Sequence, residues 1–406
     1  MKLHRFLAPV FLVASACPSL AAGFQLQERS ATGAGRAFSG EAAIADDASV
    51  IASNPAAMLL LKDRWSFAVG GSAILGHVEV AGRFTPAGAT GPIPAYAGNV
   101  AKEAYVPYFY AAGKITDSLS LGFGAYTTYG LRTNYPVSFS ARSDGDFSEL
   151  TTINLNPSLA WRINEQWSIG AGFDAQRADG KLNSTLPNTQ PLLDIGGNDW
   201  GYGYNFGVLY EPNACTRFGL AYRSSVDLTL EGRAVSVVPI FNGFTTLDVE
   251  LPDSVEFSAV HEMGDWSIHG DVVWTNWSKF KQLAPIIPSA PVQPTAVQEQ
   301  WDDAWRISLG TTWRATPTLT WRAGLAWDQS PVPDSRLTLR IPDSDRFWLS
   351  TGISWQFLEN WKLDAGYTHI FADDVRINEG TAATGFFHGK ASASADVVSL
   401  GIATQF

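Results

Sequence analysis

From residue 64 to the end of the chain, strand-length segments alternate bulky apolar residues with small or polar ones. In the run WRISLGTTW (305–313) the apolar side chains lie at odd positions, and the run LTWRAGLAWD (319–328) repeats this alternation. Because successive side chains of a strand point to opposite faces, each segment has one apolar face and one small or polar face. A membrane barrel needs this arrangement, with the apolar face toward lipid and the other face toward the lumen. The sequence therefore predicts an all-β fold, a transmembrane antiparallel β-barrel.

The barrel is predicted to have about fourteen strands, an even number as in single-chain bacterial barrels. Short connections such as Gly264-Asp265 alternate with long ones rich in Pro, Gly, Ala and Thr. Short turns at one end and long loops at the other are typical of outer-membrane barrels. Long loops are predicted at His77–Val100, Asn183–Asp199, Ala284–Gln300 and Asp328–Pro342. Strands are predicted at 64–82, 102–114, 118–130, 148–162, 166–182, 200–211, 215–235, 250–262, 265–280, 301–314, 318–330, 344–357, 360–374 and 390–406.

The aromatic residues support a position in a membrane. The chain has 15 Trp, and Trp is favoured at membrane–water interfaces because its ring has an apolar body and a polar N–H. The last strand ends VSLGIATQF, and its terminal Phe406 resembles the C-terminal signal read by the barrel assembly machinery. The Trp residues near the short turns should form an aromatic girdle: Trp65, Trp161, Trp167, Trp266, Trp313, Trp321, Trp355 and Trp361.

The N-terminus has the features of a secretory signal peptide. Lys2 and Arg5 precede an apolar run from Phe6 to Ala16, and Ser19-Leu20-Ala21 fits a cleavage site. The run is shorter than the 20 or so residues that a membrane-spanning helix needs. We therefore predict a signal peptide at residues 1–21 and location in the outer membrane of a Gram-negative cell.

Composition excludes several classes of function. A net charge of −11 argues against a nucleic-acid partner, which would require a basic face. Only Cys17 and Cys215 are present, so no disulfide framework is expected. The glycines at 33–40 superficially match a dinucleotide-binding loop, but no strand precedes them as that motif requires. The histidines match no metal-ligand spacing. We therefore predict no cofactor and no metal site.

Residues 22–63 lack strand alternation although they directly precede the barrel at 64–406. A non-strand block of this size has few places to go except inside the barrel, so we predict an N-terminal hatch, or plug, in the lumen. Asp46-Asp47 should pair with lumen Arg residues or cap a short helix near Asn54-Pro55-Ala56, where Pro suits the first turn.

Two arginines are candidate ligand-binding residues. Arg306 and Arg322 lie opposite the apolar faces of their strands and should point into the lumen. Each could bind a carboxylate headgroup, which matches the planar donor fork of Arg, or could pair with hatch carboxylates instead. His269 beside Asp271 suggests a barrel hydrolase only weakly, and a lumen histidine without a catalytic role is the better interpretation.

The N-terminal block closely resembles the hatch of the FadL-type outer-membrane long-chain fatty acid transport family. The similar stretches are AGFQLQE, GAGRAFSGEAAIADDAS and the Asn54-Pro55-Ala56 motif, followed by YGLRTNYP (129–136), WDQSPVPDSRLTLRIPDSDRFWLS (327–350) and VRINEG (375–380). The resemblance covers essentially the whole mature chain. It implies a fourteen-stranded barrel with an N-terminal hatch.

The resemblance also implies a function, the passive uptake of long-chain fatty acids or similar hydrophobic compounds. Ligand would be captured among external loops, passed to an inner site beside the hatch, and released through the barrel wall at a kinked strand. Phe24 corresponds to the hatch residue that lines the inner site, and the loop 183–199 lies where the family has part of its capture groove. The apolar residues of that loop are Leu186, Leu192, Leu193 and Ile195.

Other functions remain open from the sequence. Relatives of this family take up aromatic hydrocarbons, and a general porin, a barrel phospholipase and a purely structural or adhesion barrel are further alternatives. The expected partners are the hydrophobic ligand, outer-membrane lipid and lipopolysaccharide, and the assembly machinery at Phe406. The protein should be a monomer.

Overall fold

The structure, a computed structural model, describes residues 23–406. The predicted signal peptide at 1–21 and the predicted first mature residue, Ala22, lie outside the described residues. Within 23–406, no helix has the length and apolar character needed to cross a membrane.

Fourteen antiparallel strands of the described chain form a closed barrel. Each strand pairs with its sequence neighbours, and the ring closes where the last strand pairs with the first over 21 residues, from Ser66–Gln405 to Pro86–Gly385. The strands are β1 Trp65–Pro86, β2 Ala104–Thr116, β3 Leu119–Tyr126 and Gly130–Asn134, β4 Phe147–Arg162, β5 Trp167–Thr185, β6 Pro191–Asn213, β7 Thr216–Arg223 and Val226–Val235, β8 Gly243–Leu251 and Ser254–Met263, β9 Trp266–Thr275, β10 Ala304–Thr316, β11 Leu319–Asp328, β12 Arg346–Leu358, β13 Trp361–Ala372 and β14 Gly385–Gln405.

Short additional elements lie in the long connections. Strand Ile93–Ala97 pairs with β1, Val375–Thr381 pairs with β14, and Gln282–Leu283 pairs with Val297–Gln298. Single turns of 3₁₀-helix occur at Pro239–Phe241, Trp277–Lys279 and Asp334–Arg336.

The outward faces confirm the predicted alternation. Trp305, Ile307 and Leu309 of β10 are exposed, whereas Arg306 and Ser308 between them are buried. All eight predicted girdle residues are exposed, and Trp266 and Trp313 stack with ring centroids 5.2 Å apart. The aromatic girdle therefore lies at the end of the barrel that has the short turns.

Two predicted loops are partly wrong. β1 continues to Pro86, well into the predicted loop 77–100, and β5 and β6 extend through most of the predicted loop 183–199. The hairpin turn between β5 and β6 takes only five residues, and it closes with a bond from Leu186 N–H to the Gln190 carbonyl. Strand pairing continues beyond the lipid-facing belt because backbone groups still need partners there.

Three predicted strands are interrupted. β3 breaks at residues 127–129, β7 at 224–225 and β8 at 252–253. These breaks interrupt the wall of the barrel.

The N-terminal segment, residues 23–63, packs against the inner wall. It contains an α-helical turn at Ala31–Ala34 and 3₁₀-helices at Ala48–Ala52 and Pro55–Leu60. Lumen-facing glycines permit its backbone to approach the wall closely: a Cβ at Gly324 would lie 2.2 Å from the Arg36 carbonyl oxygen, and one at Gly219 would lie 2.0 Å from that of Ala42. Such contacts occur on β5, β6, β7, β11, β12 and β13, so the N-terminal segment is surrounded by the barrel.

Candidate ligand-binding site

An apolar chamber lies between the tip of the N-terminal segment and the inner wall near the long loops. Its cavity volume is about 50 Å³. Most of its lining is aliphatic or aromatic, and charged side chains occur only at Glu149 and Lys181. The lining residues are Phe24, Leu131, Glu149, Leu150, Gly180, Lys181, Leu182, Ile195, Gly197, Leu230, Leu247, Val249, Phe280, Leu283 and Ile341. A chamber of this composition favours an apolar ligand with few polar atoms.

Phe24 forms one end of the chamber and is buried among four aromatic rings. Its ring centroid is 4.7 Å from Trp277, 5.3 Å from Phe280, 5.7 Å from Trp301 and 6.0 Å from Tyr129. Edge-to-face contacts of this kind add to the free energy of burying the rings. The tip of the N-terminal segment is therefore held mainly by aromatic packing.

The backbone of the tip fills a gap in the barrel wall. β2 and β3 pair in register, from Thr116 opposite Leu119 to Phe109 opposite Ala125. Beyond the break in β3, only an isolated bridge joins Ala101 to Thr133. Between these points, the N-terminal segment pairs with β3 instead. Leu26 N–H donates to the Thr128 carbonyl at 2.8 Å, and Gly130 N–H donates to the Phe24 carbonyl at 2.9 Å. We call this interruption the β2–β3 gap.

A buried carboxyl of the external loops orients one ring of the aromatic cluster. The Trp301 indole N–H donates to the Glu299 carboxyl at 2.9 Å. Burial of Glu299 raises its pKa to about 7, against the opposing effect of this hydrogen bond. The protonation of Glu299 is thus coupled to the position of Trp301 over Phe24.

The predicted capture residues of the 183–199 stretch lie near the chamber to different degrees. Ile195 lines it directly. Leu193 packs on a neighbouring buried cluster that contains Ile195, Ala234, Ile287 and Ala290. Leu186 and Leu192 are partly exposed in and beside the hairpin turn.

Arg306 and Arg322 are buried in the lumen, as their strand positions predict, and both contact the N-terminal segment. Arg306 Nη1 donates to the Ala37 carbonyl at 3.1 Å. Arg322 forms an ion pair with Asp46 at 3.2 Å, and Asp46 also pairs with Arg36 at 2.6 Å. Neither arginine is among the residues that line the apolar chamber. Their observed contacts are with the N-terminal segment rather than with the chamber.

The acidic pair and the Asn-Pro-Ala motif also anchor the N-terminal segment. Asp47 caps the helix Ala48–Ala52, accepting from Ser49 N–H at 2.9 Å. Asn54 caps the next helix and donates to the Val208 carbonyl of β6 at 3.0 Å and to the Ala42 carbonyl at 2.7 Å. Asp46-Asp47 thus fulfils both predicted roles, pairing with arginine and capping, and the cap belongs to the helix before the Asn54-Pro55-Ala56 motif.

His269 links the wall to the plug. Its Nδ1 lies 2.7 Å from the Ser39 hydroxyl, and its Nε2 lies 3.1 Å from the Thr312 hydroxyl. The Ser39 hydroxyl also donates to the Arg36 carbonyl at 2.7 Å. Ser39 and His269 are both buried, so this pair fits a structural contact between hatch and strand.

Several residues of the chamber and of the apolar cluster around Phe24 were missed by reasoning from the sequence. Trp277, Phe280 and Trp301 lie in loops and on no regular pattern. Leu228 and Leu230, in contrast, carried a signal: in β7 they alternate with Asp227, Thr229 and Glu231, so the apolar face there is the inner one. A reversal of the barrel's usual polarity marks a wall that faces an apolar interior.

The fold and the chain resemble known proteins. The chain is 36% identical over 400 residues to a long-chain fatty acid transport protein of Salmonella typhi, covering 88% of this chain and 89% of that protein. A Pseudomonas aeruginosa FadL homologue of known structure has a TM-score of 0.87 at 21% identity, covering 95% of this chain and 100% of that one. The Ralstonia pickettii toluene transporter TbuX has a TM-score of 0.70 at 18% identity, covering 93% and 98%.

A protein-family model gives the broadest match. The model described as outer membrane protein transport protein (OMPP1/FadL/TodX) matches residues 11–406. Because the model spans nearly all of the chain and the Salmonella relative exceeds 30% identity, the chain is an outer-membrane β-barrel that belongs to the OMPP1/FadL/TodX outer membrane transport family.

Proposed function

We propose that this protein transports long-chain fatty acids or similar hydrophobic compounds passively across the outer membrane. The observation that carries the proposal is the apolar chamber, which ends at Phe24 beside the β2–β3 gap. Relatives named as long-chain fatty acid transport proteins support the choice of cargo. Burying each methylene contributes about 0.8 kcal/mol, so an acyl chain gains far more in such a chamber than in a water-filled pore.

The path has three steps in this proposal. Apolar residues of the external loops, Leu186, Leu192 and Leu193 among them, collect the ligand, and Ile195 leads it into the chamber. The ligand displaces the Phe24 ring from its aromatic cluster. Loss of that packing weakens the two backbone bonds that hold the tip on β3, and the ligand leaves sideways through the β2–β3 gap.

The candidate partner for a fatty acid carboxylate is Lys181 at the edge of the chamber, 62% of whose side chain is exposed. Lys181 is the chamber's only lining residue with a positive charge, and it lies 3.5 Å from Glu149. We propose that the headgroup competes with Glu149 for Lys181. Arg306 and Arg322 then act indirectly, by holding the plug in register.

A second cargo class follows from the aromatic cluster. Small aromatic hydrocarbons pack well against rings such as Trp277 and Trp301, and the fold is shared with a toluene transporter. Such a ligand needs no contact with Lys181. The two cargo classes therefore differ in their dependence on that residue.

Binding of labelled oleate and labelled toluene to the purified protein tests these proposals. Lys181→Ala should weaken oleate binding by roughly tenfold, the loss of one charge-assisted contact, and leave toluene binding unchanged. If neither ligand binds the wild type, the proposed function fails. If toluene alone binds, the carboxylate role of Lys181 fails.

The expected surroundings complete the proposal. The outward apolar face and Trp girdle suit contact with membrane lipid and, at the loop end, with lipopolysaccharide. Phe406 remains our candidate signal for the assembly machinery, and we propose that the barrel acts as a monomer because each barrel has its own chamber.

A further inference from the structure

A second interruption of the wall lies between β6 and β7. The first part of β7 pairs with β6, and the last pair is Arg223 opposite Asn205. Pairing resumes in the second part of β7 with Glu231 opposite Asn198. Within the described residues, 199–204 of β6 and 224–230 of β7 have no register partners across this boundary. We call this stretch the β6–β7 seam. It is distinct from the β2–β3 gap, and the N-terminal segment does not pair with it.

One backbone bond, from Ser224 N–H to the Tyr204 carbonyl at 2.9 Å, and several side-chain bonds bridge the seam. The Asp199 carboxylate accepts from Trp200 N–H at 2.7 Å and from Thr229 N–H across the seam at 2.8 Å. The Ser224 hydroxyl accepts from Tyr204 N–H at 2.9 Å. Unpaired backbone groups are costly in lipid, and these side chains satisfy three of them without joining the strands in a continuous ladder.

Small residues and two apolar side chains close the inner surface of the seam. β6 contributes Gly201 and Gly203, which leave no side chain of their own. Val226 and Leu228 of β7 fill the space: a Cβ at Gly201 would lie 2.3 Å from Val226 Cγ1 and 3.0 Å from Leu228 Cδ2. Opening the inner surface therefore requires these two side chains to rotate and the Asp227 carbonyl oxygen, 2.8 Å from the same Cβ position, to move away from β6.

The seam joins two apolar environments. On the inside, Leu230 at the outer end of the seam and Gly197, a paired residue just beyond it, line the apolar chamber. On the outside, Tyr202 and Tyr204 are exposed on the lipid-facing side of β6. The lipid-facing part of β6 runs from Tyr210 to Trp200, and Tyr210 stacks on the girdle residue Trp167. The seam is at the other end of this part, so it lies in the half of the belt nearest the long loops.

From this arrangement, we propose that the β6–β7 seam is a second lateral portal, through which apolar ligands pass between the chamber and the outer half of the membrane. The proposal rests on the proposed function, since it concerns the same chamber. It adds a route by which compounds already dissolved in the outer leaflet reach the chamber without first entering water. Asp199 and Ser224 act as the latch that keeps the seam closed when no ligand is present.

A reversible disulfide across the seam tests this proposal. Gly201→Cys with Val226→Cys, in a Cys215→Ser background, places two sulfurs within bonding reach, because the Cβ at 201 lies against the side chain at 226. The matched control is Phe206→Cys with Tyr222→Cys, which are already register partners on the same two strands. Gly203→Cys with Val226→Cys provides a second lock if the first variant does not fold.

Oleate uptake into proteoliposomes is measured with each variant oxidised and reduced, with oleate presented either in the bilayer or from water. We expect oxidation of the seam pair to slow uptake from the bilayer by roughly tenfold, as for a blocked gating step, and reduction to restore it. The control pair should show no change. The proposal fails if the oxidised seam variant takes up oleate from the bilayer as fast as the same variant after reduction of its disulfide. It also fails if oxidation slows only the uptake of oleate presented from water. Failure of the proposed function would instead appear as absence of uptake in the wild type.

Discussion

Replacing Phe24 with Ala should detach the tip of the N-terminal segment from β3. The ring is buried among four aromatic neighbours, and truncating such a Phe costs about 3–5 kcal/mol. The two backbone bonds that join the tip to Thr128 and Gly130 contribute about 1–3 kcal/mol together. The packing of the Phe24 ring therefore contributes more to holding the tip than these two bonds do. The population of the detached state should rise by roughly two to three orders of magnitude, at about 1.4 kcal/mol per factor of ten.

Hydrogen–deuterium exchange measures this detachment directly. The Leu26 and Gly130 amides donate the two bonds, so both should lose protection in Phe24→Ala. Phe38→Ala is the matched control, because Phe38 is equally buried in the same segment but packs on Trp348 with centroids 6.2 Å apart. It should leave both amides protected. Retained protection in Phe24→Ala, or equal loss in both variants, would refute the claim that aromatic packing holds the tip.

Three further predictions concern the plug and the external loops. Arg322→Ala removes one of the two ion pairs of the partly exposed Asp46 and should destabilise the N-terminal segment by about 1–3 kcal/mol in thermal unfolding. The control Arg314→Ala, at an exposed ion pair, should cost less than about 1 kcal/mol, and equal effects of the two variants would contradict this. Gly324→Val should push the Arg36 carbonyl away from β11 and expose the Ser39 amide to exchange, while Ala323→Val on the outward face should not. Burial raises the pKa of Glu379 to about 8, so its contribution to loop stability is complete below pH 4.5 and is lost as the pH rises through about 8; Glu379→Gln should flatten this dependence, and an unchanged pH profile would exclude it.

Local alternation was enough to predict the barrel from the sequence. Most strand boundaries lie within a few residues of the prediction, because lipid outside and a packed lumen inside enforce a strict period of two. The lack of alternation also set the N-terminal segment apart from the strands, although its tip pairs with β3 at the β2–β3 gap. Pro55 lies in the first turn of its helix as predicted, whereas the cap of that helix is Asn54 rather than Asp46 or Asp47.

The functional geometry could not be predicted in the same way. The break in β3 depends on the tip of the N-terminal segment, which offers Thr128 and Gly130 backbone partners from about 100 residues away in the chain. The site for Phe24 is assembled from loops, and loop packing has no sequence period. Strand parity predicted that the Arg322 side chain points into the lumen. Its ion pair with Asp46 could not be predicted, because it depends on the position of the N-terminal segment within the barrel.

The chain uses two kinds of contact for two tasks. Ion pairs and glycine contacts fix the body of the N-terminal segment: Asp46 with Arg36 and Arg322, and Gly324 against the backbone. The tip depends on aromatic packing, which an apolar ligand can replace with its own contacts. In the proposed mechanism, a ligand therefore moves the tip while the rest of the N-terminal segment remains bound to the barrel wall.

The most direct test of the proposed function compares oleate transfer with ion conductance in the same reconstituted membranes. Our account predicts saturable oleate transfer by the wild-type protein, loss of saturation in Phe24→Ala, and no high steady conductance in either. Steady porin-like conductance in the wild type, or oleate transfer no faster than in protein-free membranes, would contradict it.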